Sequence, residues 1–273
     1  MIETTGKIGS LVTVDMNDPR SAYMADHPAS HVSSRYEFMP TNRIVNELRD
    51  YGFYVRDYKQ ARMRKQTTSS TAKHILWLRR INERPVGDVY PEVLMINAHN
   101  GRFRLKFLIG FLRLICANGL VAGNIIDGWK GVTHMDYNPF EKIIERVHDV
   151  ATQATHKLDV IHAMQDRYMN LDEAYTFATQ AAGLTPERVY QNPTQLLTVQ
   201  REEDKGNDLW RVFNKVQENL IKGGTQIIAR NGRRRAARGI TSVDKNLELN
   251  QKLWKLAESY LPTANESEYA LAA

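Results

Sequence analysis

One feature constrains the fold more than any other, a single change of hydrophobic period. From Ser34 to about Asp136 apolar residues alternate with polar ones between turn residues; from Pro139 onward they recur at three- and four-residue spacing. Alternation puts every second side chain on one face of a strand, whereas the longer spacing lays a stripe along a helix. A chain that switches once in this way is expected to be α+β, an N-terminal antiparallel sheet with a helix, followed by a C-terminal helical region. The expected divisions are a partly flexible leader over 1–31, a basic antiparallel β-sheet domain over 32–138, a helical region over 139–261 and a flexible tail over 262–273.

Turn and capping residues divide the first region further. "SSRYEFMPT" reads as a short strand ending at Pro40. "TNRIVNELRDYGF" reads as a helix capped by Thr41 or Asn42, with Ile44, Val45 and Leu48 inward and Gly52 as its stop. "FYVRDYKQARMRK" and "KHILWLRRIN" read as strands. "VLMINA" and "RFRLKF" flank Asn100-Gly101, a strong hairpin signal because both residues tolerate positive φ. A second Asn-Gly at Asn118 and Gly119 predicts another turn, and "LVAGNIIDGWKGVTHM" further β-structure. In the second region Ile143, Val147, Val150, Ala154, Leu158 and Ile161 predict a long helix from Phe140 to about Met169. Asn170 with Glu173 predicts a capping box, and Gly183 the end of that helix. "TPERVY" and "NPTQLL" carry helix-start chemistry, a capping residue followed by proline. "NDLWRVFNKVQENLIKGG" places Trp210, Phe213, Val216, Gln217 and Leu220 on one side, and "DKNLELNQKLWKLAESYL" is the last helix.

Charge is unevenly spread, which bears on function. The formal net charge is +6 and the pI near 9.3. Residues 43–113 hold fifteen Lys and Arg against six Asp and Glu, so about a quarter of the chain supplies more than the whole net charge. Within it Arg102, Arg104 and Lys106 alternate with Phe103, Leu105 and Phe107, so the cations should line one face of a strand while the apolar groups pack the core. Arg56, Tyr58, Gln60, Arg62 and Arg64 fall on one face of another strand by the same parity. With Arg79, Arg80 and Tyr36 they compose a surface on which cations track phosphates and tyrosines stack bases. A wet sheet face also carries Lys and Arg for solubility, but such a face ordinarily mixes both signs, and acids are scarce here. "ARNGRRRAARG" adds Arg230, Arg233, Arg234, Arg235 and Arg238 on a loop or flexible hairpin, where guanidinium forks can grip phosphates.

Other chemistries find little support. Cys116 is the only cysteine, which excludes an intrachain disulfide and a thiolate zinc cluster, and a reducing cytoplasm is expected. The N-terminus lacks the apolar segment of a secretory signal, and Phe107 to Cys116 is too short to span a bilayer. His148, His156 and His162 are not at the i, i+4 spacing of a helical metal site, and His74 and His99 read as ordinary strand residues. Glu92 and Asp127 read as arginine partners. No phosphate-binding glycine loop, nucleophile elbow or clustered carboxylate set is present, so no catalytic site, metal or cofactor is expected.

"SSRYEFMPTNRIVNELRDYGF", "INAHNGRFRLKFLIGFLRLICANGLV" and "LWRVFNKVQENLIKGG" resemble, in order, the phage/plasmid-like family known as domain of unknown function 932, and within it uncharacterised protein family 380 of prophages and plasmids. The resemblance runs from about Val32 to the last helix. It implies a cytoplasmic protein of bacterial mobile elements, encoded near genes for DNA processing or defence evasion. Two functions are then expected to compete. One is binding and annealing of single-stranded DNA in recombination, by a homo-oligomer for which a ring similar to those of Rad-type annealing proteins is an analogy of pattern. The other is anti-defence, by binding a host nuclease or defence complex without catalysis; a basic chain does not suit imitation of DNA.

Overall fold

The computed structural model describes residues 11–34, 36–61, 70–85, 89–101, 103, 105–113, 139–229, 231–240 and 242–262. The chain forms two compact units, Met1–His156 and Lys157–Ala273. It is α+β, with an antiparallel sheet first and helices after.

In the first unit β1 (Leu11–Thr13), β2 (Phe53–Ala61), β3 (His74–Arg80), β4 (Val89–Asn97) and β5 (Lys106–Arg113) lie in sequence order, all neighbours antiparallel. Two faces follow from the register, since directly opposed residues project to the same side. Tyr58, Leu76, Met95 and Phe107 form a row on one face, with Gln60, His74 and Asn97 beside them. Helix α1 (Thr41–Asp50) and the first half of α2 (Pro139–Asp166) cover that face: Thr41 meets His74, and His148 packs edge-on to Phe53. On the other face Asp57, Trp77, Leu94 and Leu108 form one row and Lys59, Ile75, Ile96 and Lys106 the next.

Ile44, Val45 and Leu48 of α1 are buried as expected, and Gly52, at φ +80°, ends the helix turn. Thr41 is not the cap. It is the first helical residue, wholly buried, and Pro40 holds the cap position with no side-chain bond to offer. Residues 36–40 form no strand; Tyr36 instead closes a turn on Ser33 (N to O 3.0 Å). The β4–β5 hairpin exists, with Ile96 paired to Lys106 and Gly101 at φ +69° in the connection between the strands. Residues 11–34 lie against the sheet, with Ala22 N donating to Gln60 Oε1 (2.9 Å) and Ala29 N to His99 O (2.9 Å). The second Asn-Gly, Cys116, Asp127 and "LVAGNIIDGWKGVTHM" lie outside the described residues.

In the second unit α3 (Leu171–Gly183) begins with the expected capping box, Asn170 Oδ1 accepting from Glu173 N (2.9 Å) and Glu173 Oε2 from Asn170 N (2.8 Å). "NPTQLL" gives a short 3-10 helix, Pro193–Leu197, capped by Asn192. "TPERVY" does not start a helix: it turns at Thr185 and leads into β6 (Val189–Tyr190). Helix α4 (Leu209–Lys222) is buried around nearly its whole circumference, including Asn214, Gln217, Glu218 and Asn219. Each is satisfied, Asn214 on the Trp210 carbonyl, Gln217 on Asn250, Glu218 on Arg201 and Asn219 on the Leu196 and Thr198 carbonyls. β7 (Gln226–Ile228) and β8 (Arg234–Ala236) form a hairpin that pairs with β6, and α5 (Val243–Glu258) follows.

Candidate nucleic-acid interface

The expected cationic sheet is real in composition and different in arrangement. The β2–β3 register shifts at a bulge between Val55 and Asp57, and one extra residue reverses the facing of everything after it. Arg56 therefore shares a face with Asp57, Lys59 and Arg79, while Tyr58 and Gln60 point the other way, beneath α1. This corrects the reading that put Arg56, Tyr58 and Gln60 on one wet surface. Tyr58 is 5% exposed and its hydroxyl donates to Gln60 Oε1 (2.7 Å); burial pushes its pKa well up, and its ring is closed to a base. Tyr36 is half-buried, donates to Ala98 O (3.4 Å), and is pushed up to about 12 by burial. Nor are β2 and β5 neighbours. Two strands separate them, on the order of 14 Å at ordinary strand spacing.

Glu92 organises the cations of that face. Its carboxylate is wholly buried and takes Arg56 Nε (2.5 Å) and Nη2 (3.1 Å), and Arg79 Nη2 (2.7 Å) and Nε (3.1 Å). Arg79 also lies over the Tyr90 ring at 3.9 Å, and Arg56 and Lys59 stand over Trp77 at 5.9 and 5.4 Å. These arginines are spent inside the fold. Lys106 is placed differently, half-buried with Nζ 4.9 Å from the Phe103 ring, which carries Lys73 Nζ at 4.1 Å. Arg62, Arg64, Arg102, Arg104 and Arg230 lie outside the described residues.

Histidines read as ordinary strand residues are parts of a buried network. His74 Nδ1 donates to Ala72 O (2.9 Å), so its Nε2 accepts from the Thr41 hydroxyl (2.7 Å). Thr41 Oγ1 in turn accepts from Asn97 Nδ2 (3.1 Å), and His99 Nε2 reaches Ala22 O (3.0 Å). Burial, against the Ala72 bond, lowers the His74 pKa to about 4. The network joins the leader, α1, β3 and β4.

The arginine run of the second unit forms an open cationic site. Ala229 N donates to Arg233 O (2.9 Å) and Gly232 takes φ +75°, closing the hairpin. Ile227 is buried beneath it, while Ile228 and its neighbour Val189 are exposed. Arg233, Arg234, Arg235 and Arg238 are exposed, and among the described residues none pairs with a carboxylate. With Glu187 and Ile228 they line a cleft of about 800 Å³.

Two devices seat this hairpin. Gly223 (φ +76°) caps α4 so tightly that a Cβ there would lie 2.5 Å from Ala237 O, and Gly224 N donates to the same carbonyl (2.9 Å). Arg188 donates to Leu220 O (2.7 Å) and Arg238 O (2.6 Å), tying the α4 terminus to the end of the hairpin. Arg188 was hidden in "TPERVY", whose threonine-proline start suggested a helix.

Among the described residues no group of three or more His, Cys, Asp or Glu is placed to hold a metal ion, and no helix is long and apolar enough to cross a membrane.

The chain belongs to the family described as Domain of unknown function (DUF932), whose model matches residues 28–254. Two proteins of Escherichia coli (strain K12) are among its relatives. UPF0380 protein YfjQ is 30% identical and UPF0380 protein YafZ 31% identical over 231 residues, each alignment covering 84% of both chains. No solved structure matches.

Proposed function

We infer that the protein binds nucleic acid, single-stranded DNA first, and serves recombination on the mobile elements that carry it. One observation carries the reading: Arg233, Arg234, Arg235 and Arg238 stand exposed around one cleft with no carboxylate partner among the described residues. Like charges this close repel, and a polyanion relieves the cost while releasing its counterions. Lys106, with Arg102 and Arg104 beside it in sequence, is a second contact region. Arg56 and Arg79 support the sheet from within, and Tyr58 has no part in stacking.

The test is binding of a labelled single strand and the matching duplex at roughly 50 and 200 mM salt. Each single-strand phosphate neutralised contributes a slope of about 0.7 in log affinity against log salt, so nearly 3 is the upper bound, reached with each of the four arginines on its own phosphate. Arg233→Ala/Arg235→Ala should remove about half of that, and Arg102→Ala/Arg104→Ala tests the sheet. Absence of binding to either nucleic acid at the lower salt ends this reading and leaves direct binding of a host defence protein as the one to pursue.

A further inference from the structure

Resting on that reading, we propose that the arginine cleft is a phosphomonoester site, taking the 5′-terminal phosphate of a strand or a free nucleoside monophosphate in preference to internal phosphodiesters. Charge is the first argument. Four guanidinium groups and one carboxylate, Glu187, line the same concavity, an excess of three positive charges. An internal phosphodiester carries one negative charge on two free oxygens. A phosphomonoester carries about 1.5 to 2 negative charges at neutral pH and three strong acceptor oxygens, which suits several bidentate forks at one point.

Shape is the second. β8 is three residues long, so its edge runs only about 10 Å. That matches one nucleotide, or two, and not a strand laid through a continuous groove. The lining is mixed as well: the exposed Ile228 offers an apolar surface for sugar or base, and Glu187 an acceptor for a hydroxyl or an exocyclic amine. Seating is the third. Arg188 and the close backbone approach at Gly223 fix the hairpin, so binding does not have to order it. Arg188 itself is a positioning residue, its guanidinium already occupied by carbonyls.

The experiment compares one 3′-labelled oligonucleotide in 5′-phosphorylated and 5′-hydroxyl forms, by fluorescence anisotropy with the full chain. At pH 7.5 the phosphorylated form should bind about tenfold tighter, as expected for added charge-assisted bonds. That advantage should shrink near pH 5, because the monoester dianion takes up a proton with a pKa of about 6 and falls to the single charge of an internal phosphodiester, while arginine does not titrate. Arg233→Ala/Arg235→Ala should abolish the advantage; Arg233→Lys/Arg235→Lys, which keeps charge but loses the fork, should retain only part of it. A nucleoside 5′-monophosphate that competes as well as the strand end identifies the free nucleotide as ligand, and one that competes poorly identifies the terminus. Equal affinity of the two strands at pH 7.5 with no binding of the monophosphate overturns the inference and leaves nucleic-acid binding standing. Monophosphate binding with no strand binding does the reverse.

Discussion

Replacing Glu92 by glutamine should both destabilise the first unit and show which cations meet nucleic acid. The carboxylate is wholly buried and accepts four charge-assisted bonds from Arg56 and Arg79, whose side chains are only 24% and 11% exposed. Neutralising it keeps shape and volume but leaves two guanidinium groups facing each other across an amide that can satisfy neither fully. Removing one member of a buried ion pair costs about 3 to 5 kcal/mol, and the low end applies because Arg56 can turn partly into water. At roughly 2 to 4 °C per kcal/mol for a unit of this size, calorimetry should record a fall of about 6 to 12 °C in the transition of the first unit. Arg56→Met/Arg79→Met/Glu92→Leu removes the charges together and should return most of that loss, since the cost comes from stranded charge and not from lost attraction. The reasoning is refuted by a Glu92→Gln loss below about 1 kcal/mol, or by a triple variant no more stable than the single one. Glu92→Gln also adds one net positive charge to the sheet face. Tighter strand binding at low salt would make that face a contact; unchanged binding leaves the contact to the arginine cleft.

His74 gives a pH signature. Its pKa is lowered to about 4 in the fold against an ordinary 6.5, so between these values the unfolded chain binds the extra proton and stability falls with falling pH. The full contribution, about 3 kcal/mol, is present above pH 6.5 and gone near pH 4. Ring-proton NMR should show His74 neutral through pH 5, and a midpoint near 6.5 would contradict the buried network. Arg188→Ala should cost the second unit about 1.5 to 3 kcal/mol, typical of bonds from a charged donor, and speed amide exchange in Arg234 to Ala236. Unchanged exchange there would mean that Gly223 and Gly224 seat the hairpin alone.

Periodicity carried most of the fold because each face demanded it. Ile44, Val45 and Leu48, the stripe from Ile143 to Ile161, and the Asn170–Glu173 box all follow from spacing that the structure repeats. The sheet face was misread at one residue. No glycine or proline marks the bulge at "YVRDY", so a strict period of two carried through Arg56 and turned Tyr58 outward. Glu92 was legible as an arginine partner, though not as one shared by two arginines from different strands, because strand order is not written in parity.

Polar residues that set the fold lie apart from those that would meet a ligand. "NAHNG" and "LWRVFNKVQENLIKGG" are rich in polar side chains, which on a surface would suggest binding. Asn97, His99, Gln217, Glu218 and Asn219 are all buried, and most of their bonds run to backbone or to other interior polar groups. A buried polar group left without its partner costs about 1 to 3 kcal/mol, so such networks tolerate few alternatives and specify one packing. These two stretches are thus interior chemistry that sets the fold. Arg233, Arg234, Arg235 and Arg238, exposed and unpaired among the described residues, stand outside those motifs. Exchanging those four arginines should alter what the protein holds without altering how it folds, whereas exchanging Asn219 or Gln217 should do the opposite, and paired melting and binding measurements on the two sets separate the roles.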